Sequence, residues 1–286
     1  MAKKQGEKME TKENKKICVI TGGGSGMGLA AAKYMPKDKV IIVSGRTVKK
    51  LEKAVSELKE LGYEAYAHAC DTSDRQSVRK LAEYAACMGE IKNVINAAGM
   101  SPAMTGQEQL LRVNALGTVY VNQEFSKRMN KGSVIVDVSS NSAYILPKFL
   151  INKKVYALAE TDEEKFLRKL IKISNLPKGQ YEKAGFAYAF SKNFVIWYAQ
   201  KCAYEYGQKG IRVVSLSPGL IATDMGNLEK ESGGDLIPYT AEQRMGTPEE
   251  LGYALATLAD ERNGYLAGVD ILCDGGSING KNFKKI

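Results

Sequence analysis

The chain has one histidine and one tryptophan in 286 residues. A lone His68 cannot furnish a His-rich metal site and argues against a serine-protease triad, so no metal centre is expected. The five cysteines (Cys18, Cys70, Cys87, Cys202 and Cys273) are far apart, odd in number and contain no Cys-x-x-Cys pair. That pattern argues against a disulfide framework or zinc site and suits reduced thiols in a cytoplasmic protein. No apolar run reaches the ~18 residues a membrane helix needs, so membrane insertion is not expected. Residues 1–16 are charged and lack the apolar stretch of a secretory signal.

Charge of one sign is not scarce: 41 Lys and Arg against 32 Asp and Glu give +9. The excess, however, is local. Residues 1–16 hold six lysines against three glutamates, residues 145–183 hold nine basic against five acidic groups, and Lys281, Lys284 and Lys285 add three more. The rest of the chain is close to neutral, which describes a solvated periphery better than a nucleic-acid groove.

What is plentiful is glycine, 28 residues, within an ordinary globular balance of 44% hydrophobic and 26% charged residues. Short apolar runs recur at Ile17–Ile20, Val40–Val43, Tyr63–His68, Val94–Asn96, Val134–Val138, Ile211–Leu216 and Val269–Leu272. Helical patterns fall between them at 27–35, 48–61, 74–88, 107–130, 184–207 and 248–260. Unbroken alternation of this kind predicts one α/β domain, residues 17–280, with a parallel sheet of about seven strands and helices on both faces. Mobile tails are expected at 1–16 and 281–286.

Two regions break the rhythm. In 145–183, Thr161-Asp-Glu-Glu164 reads as a capping box, followed by Phe166, Leu167, Leu170 and Ile171 at helical spacing with basic residues opposite. That apolar stripe has three possible destinations: a cover over substrate, a subunit interface, or an extension of the core. The second region, 220–246, is polar and glycine-containing and reads as a long loop, a lid or disordered.

Thr21-Gly22-Gly23-Gly24-Ser25-Gly26-Met27-Gly28 follows the first strand and opens a helix. Glycines there let the backbone approach a pyrophosphate, while the helix N-terminus supplies N–H donors, so a dinucleotide is expected. The second strand ends Val43-Ser44-Gly45-Arg46-Thr47, with no acid until Glu52 to accept a ribose 2′-hydroxyl. Arg46, helped by Lys49 or Lys50, suits a 2′-phosphate, which points to NADP(H) rather than NAD(H).

Tyr188 and Lys192 are four residues apart, on one helix face. A phenol with a pKa of ~10 is a poor base near neutrality, and a neighbouring ammonium would lower it towards working pH. At this point the chain resembles the short-chain dehydrogenase/reductases over about residues 17–277, which implies a single doubly wound Rossmann domain. The matching pieces are Thr21–Gly28, Asp71, Asn96-Ala97-Ala98-Gly99, Asn114, Ser139-Ser140, Tyr188 with Lys192, Pro218-Gly219 with Thr223, and Asp274-Gly-Gly276.

The resemblance implies a catalytic set of Asn114, Ser140, Tyr188 and Lys192. Tyr188 would protonate the carbonyl oxygen as hydride arrives, and Ser140 would orient it. Lys192 would lower the tyrosine pKa and hold the ribose, and Asn114 would anchor a relay water. It also implies cofactor contacts from Thr21, Gly22, Ser25, Gly26, Met27, Gly28, Arg46, Asp71, Asn96, Ala97, Gly99, Pro218, Gly219 and Thr223. Asp71 reads equally as a helix cap.

Tyr188 lies 48 positions after Ser140, a longer interval than is common in the family. The inserted helical segment before the catalytic helix, and the short link after Gly99, resemble the bacterial 3α-hydroxysteroid dehydrogenase/carbonyl reductase branch. Arg46 departs from that branch, whose best-known form has an acid there and prefers NAD. The leading expectation is an NADP(H)-dependent oxidoreductase interconverting a secondary alcohol and a ketone, with a hydroxysteroid or bile acid as the small-molecule substrate. A 3-oxoacyl-carrier-protein or general carbonyl reductase is the alternative, and a non-enzymatic NADP-sensing protein the third reading. Relatives of this kind are commonly homodimers or homotetramers.

Overall fold

The computed structural model describes residues 15–283, the side chains of 231–235 and 282 apart. The expected tails at 1–14 and 284–286 lie outside the described residues. The remainder of both tails is folded: Lys15 pairs with Glu64 at 2.7 Å, the first strand begins at Lys16, and Lys281 sits in the last helix.

Seven parallel strands form one sheet in the order β3-β2-β1-β4-β5-β6-β7. They are β1 (Lys16–Thr21), β2 (Lys39–Gly45), β3 (Ala65–Ala69), β4 (Glu90–Asn96), β5 (Val134–Val138), β6 (Arg212–Pro218) and β7 (Asp270–Cys273). The strands inside the two edges are covered on both faces and read as continuous apolar runs, as Val40-Ile-Ile-Val43 does, whereas the edge strands β3 and β7 are largely exposed or half-buried. Alternate residues feed two cores. Ile17 and Val19 face one, while Cys18 and Ile20 face the other.

One face carries α1 (Gly26–Tyr34), α2 (Val48–Glu60) and α10 (Pro248–Leu258). The other carries α3 (Arg75–Met88), α4 (Gln107–Leu111), α5 (Gly117–Ser126) and the 28-residue α8 (Gln180–Gly207). The pattern expected to be one helix over 107–130 is divided, because a π-helical turn at Arg112–Leu116 separates α4 from α5. No helix among the described residues is long and apolar enough to cross a membrane.

The 145–183 segment folds as short helical turns, including α6 (Lys153–Tyr156), and then α7 (Glu163–Ser174). Asp162, not Thr161, caps α7, accepting from the Lys165 N–H at 3.0 Å, so the capping box is replaced by a single acidic cap. Of the three destinations for the apolar stripe, the structure takes the third. Phe166, Leu167 and Leu170 are buried in the chain's own core, with the Phe166 ring 5.1 Å from that of Phe194 on α8. Within 220–246, the stretch expected as a loop contains α9 (Asp224–Gly233) and a 3₁₀ turn at Gly234–Tyr239. The last helix is α11 (Ser277–Phe283).

Candidate active site

A cleft of about 580 Å³ opens at the carboxyl ends of β1 and β4, where the strand order reverses. Doubly wound sheets bind ligands at such switch points. Its floor is the glycine loop. Gly22 has φ of +68°, and a Cβ there would stand 2.8 Å from the Ala97 backbone; a Cβ on Gly28 would stand 2.5 Å from the Gly22 carbonyl oxygen. Only glycine lets the loop close against β4 and against itself. Ser25 precedes α1 without a side-chain cap, which leaves the first helical N–H groups open to the cleft wall formed by Ser25, Gly26 and Met27. Uncapped donors at the positive end of a helix suit a phosphate.

Arg46 is exposed on the rim and has no hydrogen bond or ion pair among the described residues. Lys50 also lines the cleft, 3.9 Å from Asp224 across its mouth, whereas Lys49 does not line it. Asp71 lines the wall and does local work as well. Its Oδ1 accepts from the Ser73 N–H (2.9 Å) and hydroxyl (2.7 Å), while the cap of α3 is Asp74. Ala97, Gly99 and Thr223 complete the expected lining. Together these residues fit a dinucleotide: a tight glycine turn, an open helix N-terminus and an unpaired cation after the second strand.

Four expected cofactor residues do not reach the cleft lining. Thr21 and Asn96 are buried and bonded to each other, the Thr21 hydroxyl donating to Asn96 Oδ1 at 2.8 Å. Pro218 ends β6 in the interior. A Cβ on Gly219 would meet Asp274 Cα at 2.8 Å, which gives that glycine a packing reason.

The four expected catalytic side chains gather behind the inner end of the cleft. Gly99 marks the join, since a Cβ there would stand 3.3 Å from Asn114 Oδ1 and 3.5 Å from Lys192 Nζ. Asn114 lies in the π turn, an irregularity found disproportionately at functional sites. Its Oδ1 accepts from the Met100 N–H (2.9 Å), and its Nδ2 donates to the Met100 carbonyl (3.0 Å). Ser140 caps a 3₁₀ turn at Asn141–Tyr144, and its hydroxyl lies against the Tyr188 phenol. Lys192 donates to the Val138 carbonyl oxygen at 3.0 Å. The Ser139 hydroxyl donates to the Lys192 carbonyl at 2.7 Å and ties α8 to the end of β5.

The electrostatics depart from expectation in one respect. Burial pushes the Tyr188 phenol above its ordinary pKa, Glu229 adds to the rise, and the Ser140 hydroxyl opposes both. The expected lowering by Lys192 is not what sets this group, because the ammonium is anchored on the strand carbonyl and burial prevails. Burial takes Lys192 itself down to about 8, with Glu229 and Asp137 holding it up.

Sequence reasoning overlooked both acids. Glu229, on α9, has a buried carboxylate oxygen and lies beside Ser101. Its stretch carried no apolar periodicity to signal a helix over the site. Asp137 is an acid inside the run Val134-Ile-Val-Asp-Val138, a visible anomaly in a central strand.

Fold and cleft define a doubly wound α/β protein with a nucleotide-type site at the switch point. The chain belongs to the short-chain dehydrogenase/reductase family, a family of oxidoreductases. The family model described as short chain dehydrogenase matches residues 16–157, and the one described as Enoyl-(Acyl carrier protein) reductase matches residues 149–277. The chain is 28% identical to the short-chain dehydrogenase/reductase bsc3 of Alternaria brassicicola, over 91% of this chain and 94% of that protein. It is 23% identical to the 7alpha-hydroxysteroid dehydrogenase of Escherichia coli K12, over 93% and 96%. A Burkholderia cenocepacia short chain dehydrogenase, crystallised in complex with NADP, superimposes with a TM-score of 0.72 at 21% identity, over 93% and 98%.

Proposed function

We propose that this protein is an NADP(H)-dependent enzyme interconverting a secondary alcohol and a ketone, and that near neutral pH it works chiefly as a carbonyl reductase. The observation that carries the reading is the convergence of the Tyr188 phenol, the Ser140 hydroxyl and the Lys192 ammonium behind the glycine-loop cleft. Nicotinamide, when bound, supplies or accepts the hydride. Tyr188, held protonated by burial, gives its proton to the carbonyl oxygen, and Ser140 orients that oxygen. Lys192 offsets the charge left on Tyr188 and holds the ribose. Asn114, fixed by both sides of its carboxamide, anchors the water through which the proton is replaced. The exposed Arg46, with Lys50 beside it, supports a 2′-phosphate and hence NADP(H).

The substrate in this reading is a hydroxysteroid or bile acid. Met100, Met104, Val113 and Met225 give the cleft an adaptable apolar wall, and a hydroxysteroid dehydrogenase is among the relatives. The long 145–183 segment supports the hydroxysteroid dehydrogenase/carbonyl reductase branch. The second reading, a 3-oxoacyl-carrier-protein or general carbonyl reductase, draws on the exposed Lys165, Arg168, Lys169 and Lys172 of α7, which suit an acidic carrier. Turnover of a keto-steroid panel with NADPH tests the first reading. Silence there, with carrier-linked activity that falls on reversing the α7 charges, supports the second. The free cysteines support a cytoplasmic location, and a homodimer or homotetramer is part of the proposal, to be read by light scattering.

A further inference from the structure

A row of polar residues crosses the sheet at the level of the site. Thr21 of β1 pairs in register with Asn96 of β4, Asn96 with Asp137 of β5, and Asp137 with Ser215 of β6. From Thr21 to Asp137 the hydrogen bonds run in one direction, whereas the Ser215 hydroxyl donates outward to Asp270. The Ala98 N–H donates to Thr21 Oγ1 (3.1 Å), the Thr21 hydroxyl to Asn96 Oδ1 (2.8 Å), and Asn96 Nδ2 to Asp137 Oδ1 (2.9 Å). The chain so formed ends on Asp137, which accepts, while Asn96 Nδ2 also donates to the Thr118 hydroxyl at 3.3 Å. Asn122 of α5 adds bonds to both carboxylate oxygens, at 2.9 and 3.0 Å. Asp137 is 0% exposed.

A buried acid costs stability unless donors and an opposite charge answer it. The donors are Asn96 and Asn122, and the cation acting on it is Lys192, whose ammonium is held on the next residue of the strand, Val138. We propose that Asp137 is a positioning residue of this site: its carboxylate orients the Thr21–Asn96 chain beneath the glycine loop and is the strand-side counter-charge of Lys192, acting beside the larger influence of Glu229. The inference rests on the reading of Lys192 and Tyr188 given above.

The groups facing this pair come from several elements. From α8 come Lys192 and the Cys202 thiol, which Asp137 helps push up. From α9, the Glu229 charge also acts on Lys192. From α5 and β4 come the uncharged Asn122, Thr118 and Asn96, and the acid Asp270 of β7 is turned to Ser215 and Tyr144. Burial takes Asp137 up to about 6 and Lys192 down to about 8. Between those values the pair is carboxylate and ammonium. Below the lower one, Asp137 gains a proton, the chain ends on a weaker neutral acceptor, and Lys192 keeps only the support of Glu229.

The test is the pH profile of kcat for carbonyl reduction in wild type, Asp137→Asn, Asn122→Ala and Tyr188→Phe, with infrared titration of the buried carboxyl. Asp137→Asn should move the alkaline limb of kcat down by about one pH unit, with KM for the carbonyl substrate little changed. Asn122→Ala, which removes donors to the carboxylate, should move the acid limb up. In the wild type, the carbonyl stretch of a protonated buried carboxyl should appear as the pH falls through about 6, and it should be missing from Asp137→Asn. Should Asp137→Asn fail to fold, Asn122→Ala and the wild-type titration decide. Lower activity with both limbs unmoved in the variants, or no carboxyl band near that pH, overturns the inference. Wild-type turnover in Tyr188→Phe would instead overturn the reading of the site on which it rests.

Discussion

On α8, the Lys192 ammonium stands 5.7 Å from the centroid of the Tyr188 ring, one helical turn away. It lies over the ring, and its hydrogen bond goes to the Val138 carbonyl. The phenol therefore keeps its proton, held by burial and by the acid on α9, while the ammonium remains charged at neutral pH. An acid that is protonated beside a cation is arranged for giving a proton to a carbonyl oxygen.

Glu229 raises the pKa of both Tyr188 and Lys192. Glu229→Gln should lower both. In alcohol oxidation, where Tyr188 must act as base, the rising limb of the pH–rate profile should move to lower pH by about one unit. A profile superimposable on wild type would show that Glu229 does not act on the phenol during turnover.

Arg46 carries the choice of cofactor. Arg46→Asp removes a charge-assisted partner for the 2′-phosphate and sets a like charge against it. NADPH should bind about ten- to a hundredfold more weakly and NADH more tightly, as read by nicotinamide fluorescence. Retained NADPH preference would contradict the assignment of the β2 end.

Phe166 is 0% exposed and packs on Phe194. If α7 belongs to the core, Phe166→Ala should cost about 3–5 kcal/mol in urea unfolding. Unchanged stability with a raised KM would describe a substrate cover instead.

Asp137 makes a further prediction about stability. Its folded-state pKa of about 6 lies above the unfolded value near 3.9, so the native state binds the proton more tightly in between. Its contribution is fully present below about pH 4 and is lost as the pH rises to 6, by up to about 3 kcal/mol. Asp137→Asn should remove that fall from the wild-type stability curve, measured by urea unfolding at successive pH values.

The strands were legible because a parallel sheet covered on both faces needs continuous apolar runs, and Ile17–Ile20 or Val134–Val138 can hardly be anything else. The glycine loop was legible because its spacing has a steric cause at Gly22 and Gly28. The destination of α7 was not, since an amphipathic stripe states that it must be buried but not against what. Helix α9 was hidden in a polar stretch, and with it Glu229. Asp137 could be seen as a misplaced acid, but its partners follow only from strand register, which pairs it with Asn96. Thr21 and Asn96 matched a cofactor pattern by position, yet their side chains are spent on each other and on Asp137.

The central claim, that Tyr188 is the proton donor of an NADPH-dependent carbonyl reduction, is tested most directly by following NADPH absorbance with a panel of keto-steroids and smaller ketones in wild type and Tyr188→Phe. The account predicts turnover in wild type and a loss of about 10²–10⁴-fold in kcat in the variant, with NADPH binding retained. Turnover by Tyr188→Phe at the wild-type rate would contradict it.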